Sequence, residues 1–445
     1  MSSKGFLKRK KANHIRMCEF PKDLINKESK KSIEIREYSM SSLSPLLQGT
    51  GITKPSIPLI AVGGAGINIL QRIIERIKMY GIEYTAAAID LDWKKLDSAN
   101  FTHKLKLGDS GMGTSTQFRI GTKVAKEKNE QIIAFLHSYL DEFEYKSKHN
   151  IIFVFMGSGG TGVGVGLETI KSLKSLGYRP VPFLVLPEEK ETTRVRFTAA
   201  AGIYYFSFAP GERSEGLMTI LIENQRFYDS NKKLSEEVLL NFINSRLGVT
   251  IGDLIISTEM HSDGYSTDLN EFLEVFRTVK GVGSIVDMKS SSDTVELASF
   301  LKDNISESVA YTSDPLSATR SYILVHSIGM SVTSVDMRNS LSLYGNSDIF
   351  PKYSVGSSDG EKYYRILSIF SGLDQNKSLR ELMLDAEDNR VNILNRTKEQ
   401  MMDGSVIQKI EKVKDGDQIE VKSAEELRDT LALEAAAKRR GEFDE

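Results

Sequence analysis

A glycine-rich stretch, Met156–Gly166, follows the apolar run Ile151–Phe155 and is the part of the chain best suited to chemistry. The apolar run predicts a buried strand, and the apolar spacing after the glycines predicts a helix. Glycines let backbone N–H groups approach an anion closely, and the start of a helix adds partial positive charge. Ser158 and Thr161 add hydroxyl donors. The stretch therefore predicts a binding site for a polyphosphate.

The commonest phosphate-binding loop is excluded, because Val165 stands where that loop has its lysine. A second glycine-rich loop, Gly63–Gly66, follows the apolar residues 58–62 and precedes another apolar helical pattern. Taken alone, it fits a dinucleotide-binding fingerprint, with Asp90 or Asp92 holding a ribose. Ile69 occupies the third glycine position of that fingerprint, which disfavours it. An NAD-dependent oxidoreductase therefore remains the weaker alternative.

The two loops together resemble the signatures of the tubulin and FtsZ superfamily. Residues 158–164 resemble its GGGTG motif, with Ser158 in the place of the first glycine, and the 63–68 segment resembles its GGAG-x-N motif. Residues 111–117 resemble its segment that closes over the γ-phosphate. The implied fold class is α/β, a tubulin/FtsZ-like nucleotide-binding domain with a parallel sheet, a central helix and a second α+β domain.

The resemblance implies that GTP or GDP binds together with Mg²⁺, the cation lying near Asp92 and held through the phosphates and water. Asn68, Asn224 and Glu236 match the guanine contacts, and Glu191 and Arg196 match the ribose contacts. The full set of implied nucleotide contacts is Gly63, Gly64, Ala65, Gly66, Asn68, Asp92, Gly113, Thr114, Ser115, Thr116, Gly157, Ser158, Gly159, Gly160, Thr161, Gly162, Val163, Glu191, Arg196, Asn224 and Glu236.

Some positions depart from the family pattern. Asp90 stands where the family has Asn, and an extra carboxylate beside phosphates repels them unless a cation lies between. Lys232 replaces the Phe that stacks on the base, Val163 replaces a Thr or Ser, and Ser266 replaces an Asn.

Two carboxylates, Asp268 and Glu271, follow the long helical pattern that starts at Ser235. Their i, i+3 spacing puts both on one face of a helix start, where they can orient a water. By itself this spacing is typical of an ordinary N-terminal charge pair. The resemblance implies that the pair is catalytic and acts on GTP held by a neighbouring subunit, which predicts a head-to-tail homopolymer. The alternative is a non-hydrolysing or monomeric GTP-binding partner of another FtsZ-like protein.

Composition changes along the chain predict a flexible basic arm (1–55) and a charged helical or disordered tail (373–445). The resemblance implies a GTP-binding domain (56–235), a central helix (236–261) and a second, activation-type domain (262–372) between them. The two tails are the expected sites for adaptor proteins.

Overall composition is that of an ordinary cytoplasmic protein, with 40% hydrophobic and 27% charged residues and a net charge of −2. The small net charge disfavours nucleic acid as a partner. A single cysteine, Cys18, excludes an internal disulfide framework, and no apolar run predicts a transmembrane segment.

Overall fold

The computed structural model describes residues 57–109, 111–114, 116–143, 150–209, 217–230, 235–259, 269–277, 280–290, 317–329, 348–356 and 362–386, with single residues at 297, 300, 314 and 335. Its strands are β1 (Leu59–Val62), β2 (Ala87–Asp90), β3 (His103–Lys106), β4 (Ile151–Gly157), β5 (Arg179–Leu186), β6 (Met218–Glu223), β7 (Gly281–Lys289), β8 (Arg320–Ile328), β9 (Asp348–Gly356) and β10 (Tyr363–Leu373). They form one ten-stranded sheet in the order β3-β2-β1-β4-β5-β6-β7-β10-β8-β9.

The first six strands are all parallel to their neighbours. Parallel strands place their carboxyl ends at one edge, and ligands of open α/β sheets bind at that edge. The short pairing of β6 with β7, in which Met218 lies opposite Gly281, continues the sheet across the predicted domain boundary. β10 then runs antiparallel to both β7 and β8. The predicted α/β fold with a parallel sheet and a mixed second part is confirmed.

The helices cover both faces of the sheet. They are α1 (Gly63–Met79), α2 (Trp93–Ser98), α3 (Phe118–Glu127), α4 (Asn129–Leu140), α5 (Gly160–Ser175), α6 (Thr193–Ile203), α7 (Asn224–Ser230), α8 (Glu236–Glu259) and α9 (Leu269–Arg277). One apolar core joins the sheet to α1, α8 and α9, and a second joins the opposite face to α4, α5 and α6.

The central helix α8 lies close to the bounds expected from its apolar pattern, Ser235 to about Met260. It packs against α1, and Gly252 makes the close approach possible because a Cβ there would lie 3.0 Å from Arg76 Cγ. Its segment Glu236–Ser257 is long and apolar enough to cross a bilayer by length and composition, but 61% of the most apolar stretch is buried inside the protein. It is the core helix that joins the two parts of the fold.

A buried ion network connects α1, α8 and the second half of the sheet. Arg76 of α1 donates to both carboxylate oxygens of Asp253, at 2.6 and 2.9 Å, and Arg365 of β10 also pairs with Asp253. Arg365 donates to Asp287 of β7 at 3.0 and 2.8 Å. Burial alone would raise the pKa of Asp253, but the Arg365 and Arg76 charges outweigh it and hold that pKa below its usual value. The network therefore connects the first glycine-loop helix to the second domain.

Residues 377–386, within the stretch expected to be a charged tail, are helical. Leu379 and Leu382 are buried in the core that contains α5 and α6. One side of this segment, which carries the apolar residues at i and i+3, is thus buried. Its charged residues explain why the composition resembles that of a charged tail.

Candidate functional site

The two glycine-rich loops lie side by side, because β1 and β4 are adjacent and Val62 is paired with Met156. Gly63 has a φ of +74°, and a Cβ there would lie 3.1 Å from the backbone N of Gly162. A Cβ on Gly162 would in turn lie 2.9 Å from the backbone N of Gly157 and clash with its carbonyl oxygen. Only glycines allow this approach of two backbones, so the loops and the starts of α1 and α5 form one shared cradle.

The cradle presents backbone N–H groups from two helix starts. Within the described residues, neither α1 nor α5 has a side-chain cap, and the first turn of each lacks an acidic residue. Four N–H groups at a helix start have no partner inside the helix, and they favour an anion. Ser158 is buried and Thr161 is half-buried at the rim. Backbone amides, two hydroxyls and two helix dipoles therefore converge where the sequence predicted a phosphate site.

A third loop closes the cradle from the side. A Cβ on Gly160 would clash with the hydroxyl oxygen of Thr114 and lie 2.6 Å from the backbone N of Gln117. Thr116 takes a positive φ of 67°, and its carbonyl oxygen accepts a hydrogen bond from Thr198 of α6 at 3.2 Å. The predicted contacts Thr114 and Thr116 are therefore next to the glycine loop, whereas Ser115 lies outside the described residues.

The sole tryptophan holds the start of this third loop. Trp93 of α2 donates from its ring nitrogen to the Leu107 carbonyl at 2.9 Å, and its backbone N–H donates to Gly111 at 3.4 Å. Gly111 has a φ of +67°, and a Cβ there would lie 3.0 Å from the indole ring. Beyond it, Gly113 is exposed with open space around it. The loop is thus fixed at both ends and open between them.

Asp90 is the last residue of β2 and Asp92 caps the next helix, and their carboxylates have different environments. Asp92 caps α2 by accepting from the N–H groups of Lys94 and Lys95 at 3.1 and 3.2 Å. Asp90 is 2% exposed, and one of its oxygens accepts from the N–H groups of Leu91 and Asp92. Its second oxygen is buried and has no hydrogen-bond partner among the described residues. Burial raises the pKa of Asp90 to about 6.

The residues expected to contact base and ribose gather around α7. Desolvation raises the pKa of Tyr228, and the carboxylates of Glu188, Glu236 and Glu191 raise it further, so all three are within electrostatic reach of that ring. Asn224 begins α7, and its side-chain oxygen is buried without a hydrogen-bond partner in the described part of the chain. An unsatisfied buried amide oxygen costs stability unless a ligand completes it.

Two predicted base and ribose contacts are largely solvent-accessible. Glu191 and Glu236 are exposed, although desolvation of its carboxyl group raises the pKa of Glu191, and the neighbouring carboxylates add to the effect. Asn68 is half-buried in the second turn of α1.

Val163 is buried, and its methyl groups pack against Gly202, where a Cβ would lie 3.1 Å from one of them. Val163 therefore meets the cradle only through its backbone.

Arg196 of α6 has a partner that its sequence position does not reveal. Its guanidinium pairs with Asp385 of the helical segment 377–386, and the arginine side chain is 16% exposed. Its charge opposes the rise in the pKa of Glu191 that desolvation causes, which places the two predicted ribose contacts near each other. Asp385 is thus positioned to compete with a ligand for Arg196.

Glu271 lies in the first turn of α9, and this helix packs against the part of β4 that precedes the glycine loop. Phe272 and Phe276 contact Phe153, with ring centroids 6.3 and 5.2 Å apart. Phe153 precedes Gly157 by four residues, roughly 13 Å along a strand. The other three sequence-based assignments in this region, Asp268, Lys232 and Ser266, lie outside the described residues.

One residue near the cradle escaped the sequence analysis. The side chain of Lys95 covers Gly64, since a Cβ on that glycine would lie 3.8 Å from both Lys95 Cγ and Cε. A lysine in a short helix after β2 matches no motif. Its position over Gly64 depends on the pairing of β1 with β2.

This fold and site define an α/β protein in which the backbone amides of two glycine loops on adjacent strands form one cradle. Residues 56–232 match the profile described as the Tubulin/FtsZ family, GTPase domain. The match covers less than half of the chain, and it makes this segment similar to the GTPase domain of that family. No curated protein sequence matches the chain.

Solved structures share the fold of this chain. CetZ2 from Haloferax volcanii, in a GTPγS-bound protofilament, superposes with a TM-score of 0.61 at 15% identity, covering 76% of this chain and 98% of CetZ2. The FtsZ dimer of M. jannaschii gives 0.55 at 21% identity over 74% and 91%. TubZ of Clostridium botulinum phage c-st gives 0.53 at 16% identity over 75% and 98%. At these identities the likeness establishes the fold.

Proposed function

We propose that the chain is a cytoskeletal GTPase that binds GTP in the two-loop cradle and assembles head to tail into filaments. The observation that carries the proposal is the apposition of the two glycine loops, with Gly63 against Gly162, at the carboxyl edge of the parallel strands. A single glycine turn packs a helix on a sheet, whereas two helix starts directed at one space suit a polyphosphate. The GTPase family profile over the same residues supports the choice of nucleotide.

The residues present fit a guanine nucleotide. The backbone amides of residues 157–162 and 63–66 would hold the phosphates, and Thr161 and Ser158 would add hydroxyl donors. Asn224 offers an unsatisfied buried oxygen, and a carboxylate at Glu236 can accept from N1–H and the exocyclic amine, which favours guanine over adenine. Mg²⁺ bound with the nucleotide would neutralise phosphate charge, and Asp92 is the carboxylate expected near it.

Hydrolysis would need a second subunit. Because α9 packs against the amino-terminal half of β4, Glu271 is remote from the cradle of its own chain. In a head-to-tail contact, Glu271 and Asp268 of one subunit would approach the phosphates of the next and orient the attacking water. Within the chain, the amides around Gly160 would stabilise the charge that develops on the phosphate oxygens.

Assembly and turnover are tested together on the full chain. Pelleting and electron microscopy with GTP and Mg²⁺ should reveal filaments, and GTP hydrolysis per molecule should rise with protein concentration, because the site forms only at an interface. Glu271→Ala should slow hydrolysis by about 10²- to 10⁴-fold, with GTP affinity unchanged. Two results would contradict hydrolysis at the subunit interface. One is hydrolysis by Glu271→Ala at the parental rate, and the other is a hydrolysis rate per molecule that does not depend on protein concentration.

The second candidate is a GTP-binding partner that does not hydrolyse or stays monomeric. One observation favours it: Val163 has no hydroxyl, where the family pattern has Thr or Ser, and its side chain is buried against Gly202. A protein that binds GTP but neither sediments nor hydrolyses it at tens of micromolar would support this candidate. We expect the cytoplasm as its location in either case, with adaptor proteins binding the two tails.

A further inference from the structure

The proposed GTP site has an unbalanced charge. The glycine-rich segments 63–66, 111–117 and 157–162 contain no lysine or arginine. Asp90, whose carboxylate is buried, is the last residue of β2, the strand paired with β1, and so lies beside the cradle. An ionised carboxylate next to a triphosphate raises the electrostatic free energy of binding. A fixed cation at this place would reduce that penalty, in addition to the Mg²⁺ that binds with the nucleotide.

Lys95 is positioned to be that cation. Its side chain lies over Gly64 in the first turn of α1, at 3.8 Å from a Cβ built there, and it is half-buried. Its charge offsets a small part of the effect of burial on the pKa of the Asp90 carboxylate, so its ammonium group is within electrostatic reach of that carboxylate. In the described part of the chain, Lys95 Nζ makes no ion pair, whereas the nearby Lys106 pairs with Asp97 at 2.8 Å.

The path of the side chain also distinguishes Lys95 from its neighbour. Lys94 precedes it in the same helix and is exposed. The N–H groups of both residues donate to Asp92, so the cap fixes the start of α2 and the direction in which each side chain leaves it. One of the two lysines therefore covers the cradle, and the other provides a matched control.

The geometry points to Lys95 as a phosphate-binding residue that lies between Asp90 and the nucleotide, in the role that the loop lysine has in other phosphate sites. This inference rests on the proposed function and assigns a residue that the motifs did not. The ammonium group would donate to phosphate oxygens and offset the charge of Asp90, so that the glycine loops need no basic residue of their own.

The test is calorimetric titration of the full chain and its variants with GTP, GDP and guanosine. Lys95→Met keeps the aliphatic stem over Gly64 and removes the charge. Its GTP dissociation constant should rise about 10- to 100-fold, the range for a hydrogen bond to a charged group. Guanosine affinity and melting temperature should be unchanged, and Lys94→Met should behave like the parent. Adding Asp90→Asn to Lys95→Met should recover part of the lost affinity.

The following results would contradict the assignment of Lys95 to phosphate binding. GTP affinity equal to the parent in Lys95→Met, or a loss shared by GTP and guanosine together with a lower melting temperature, would show a packing role only. If the parent binds no GTP, the proposed function fails, and tripolyphosphate becomes the probe. Weaker tripolyphosphate binding in Lys95→Met than in Lys94→Met would then still support Lys95, whereas equal or absent binding would refute it.

Discussion

Replacing Asp90 with asparagine should stabilise the nucleotide-free protein at neutral pH. The carboxylate is 2% exposed, and only one of its oxygens has hydrogen-bond donors, the N–H groups of Leu91 and Asp92. Asparagine keeps an acceptor for those donors and removes the charge. The change therefore relieves the cost of burying a carboxylate without removing a contact.

The magnitude follows from the shift of the Asp90 pKa from 3.8 to about 6. Because the folded-state pKa is the higher one, the folded protein holds the proton more tightly, and parental stability falls as pH rises from about 4 to about 6. At 1.36 kcal/mol for each pH unit between the two pKa values, the loss is about 3 kcal/mol at pH 7. Asp90→Asn should avoid that loss.

Urea unfolding of parent and variant between pH 4 and pH 7.5, with a chelator and no nucleotide, measures the difference. The two proteins should be equally stable near pH 4, and the variant should gain about 3 kcal/mol by pH 7. Asp92→Asn is the control: its carboxylate caps α2, and asparagine caps as well as aspartate, so its stability should change by less than about 0.5 kcal/mol. A difference between Asp90→Asn and parent that is independent of pH, or that has the opposite sign, would refute the reasoning.

Three further changes test the site and the fold. Gly162→Ala forces a Cβ onto a backbone carbonyl oxygen and should cost about 1–3 kcal/mol with loss of GTP binding, whereas Gly159→Ala meets no atom within 4 Å and should keep the parental melting temperature. Arg365→Met leaves two buried carboxylates short of a counter-charge and should cost about 3–5 kcal/mol in urea unfolding; an unchanged midpoint contradicts this. Asp385→Asn should release Arg196 and tighten GTP binding, and Arg196→Ala should weaken it; equal affinities would remove Arg196 from the site.

Local sequence patterns were enough to predict individual strands and helices, because each is formed by consecutive residues. The apolar runs before each glycine loop became β1 and β4, and the long apolar pattern became α8 within a residue of its expected ends. These predictions succeeded because burial on a parallel sheet demands continuous apolar runs. The same runs brought the two glycine loops to adjacent strand ends.

Contacts between distant parts of the chain could not be predicted in this way. Arg76 and Asp253 are 177 residues apart, and Arg196 and Asp385 are 189 apart, so neither pair leaves a periodic signal. The helical segment 377–386 reads as a charged tail because only one side of it is buried. The position of Lys95 over Gly64 also could not be predicted from local patterns, because it depends on the pairing of neighbouring strands.

The most direct test of the central claim is a calorimetric titration of the full chain, freed of bound nucleotide, with GTP, GDP and NAD⁺ in the presence of Mg²⁺. The two-loop cradle predicts that GTP and GDP bind at one site per chain, that Gly162→Ala abolishes both, and that NAD⁺ produces no binding heat. Binding of NAD⁺ with no response to GTP would contradict the account and favour an oxidoreductase.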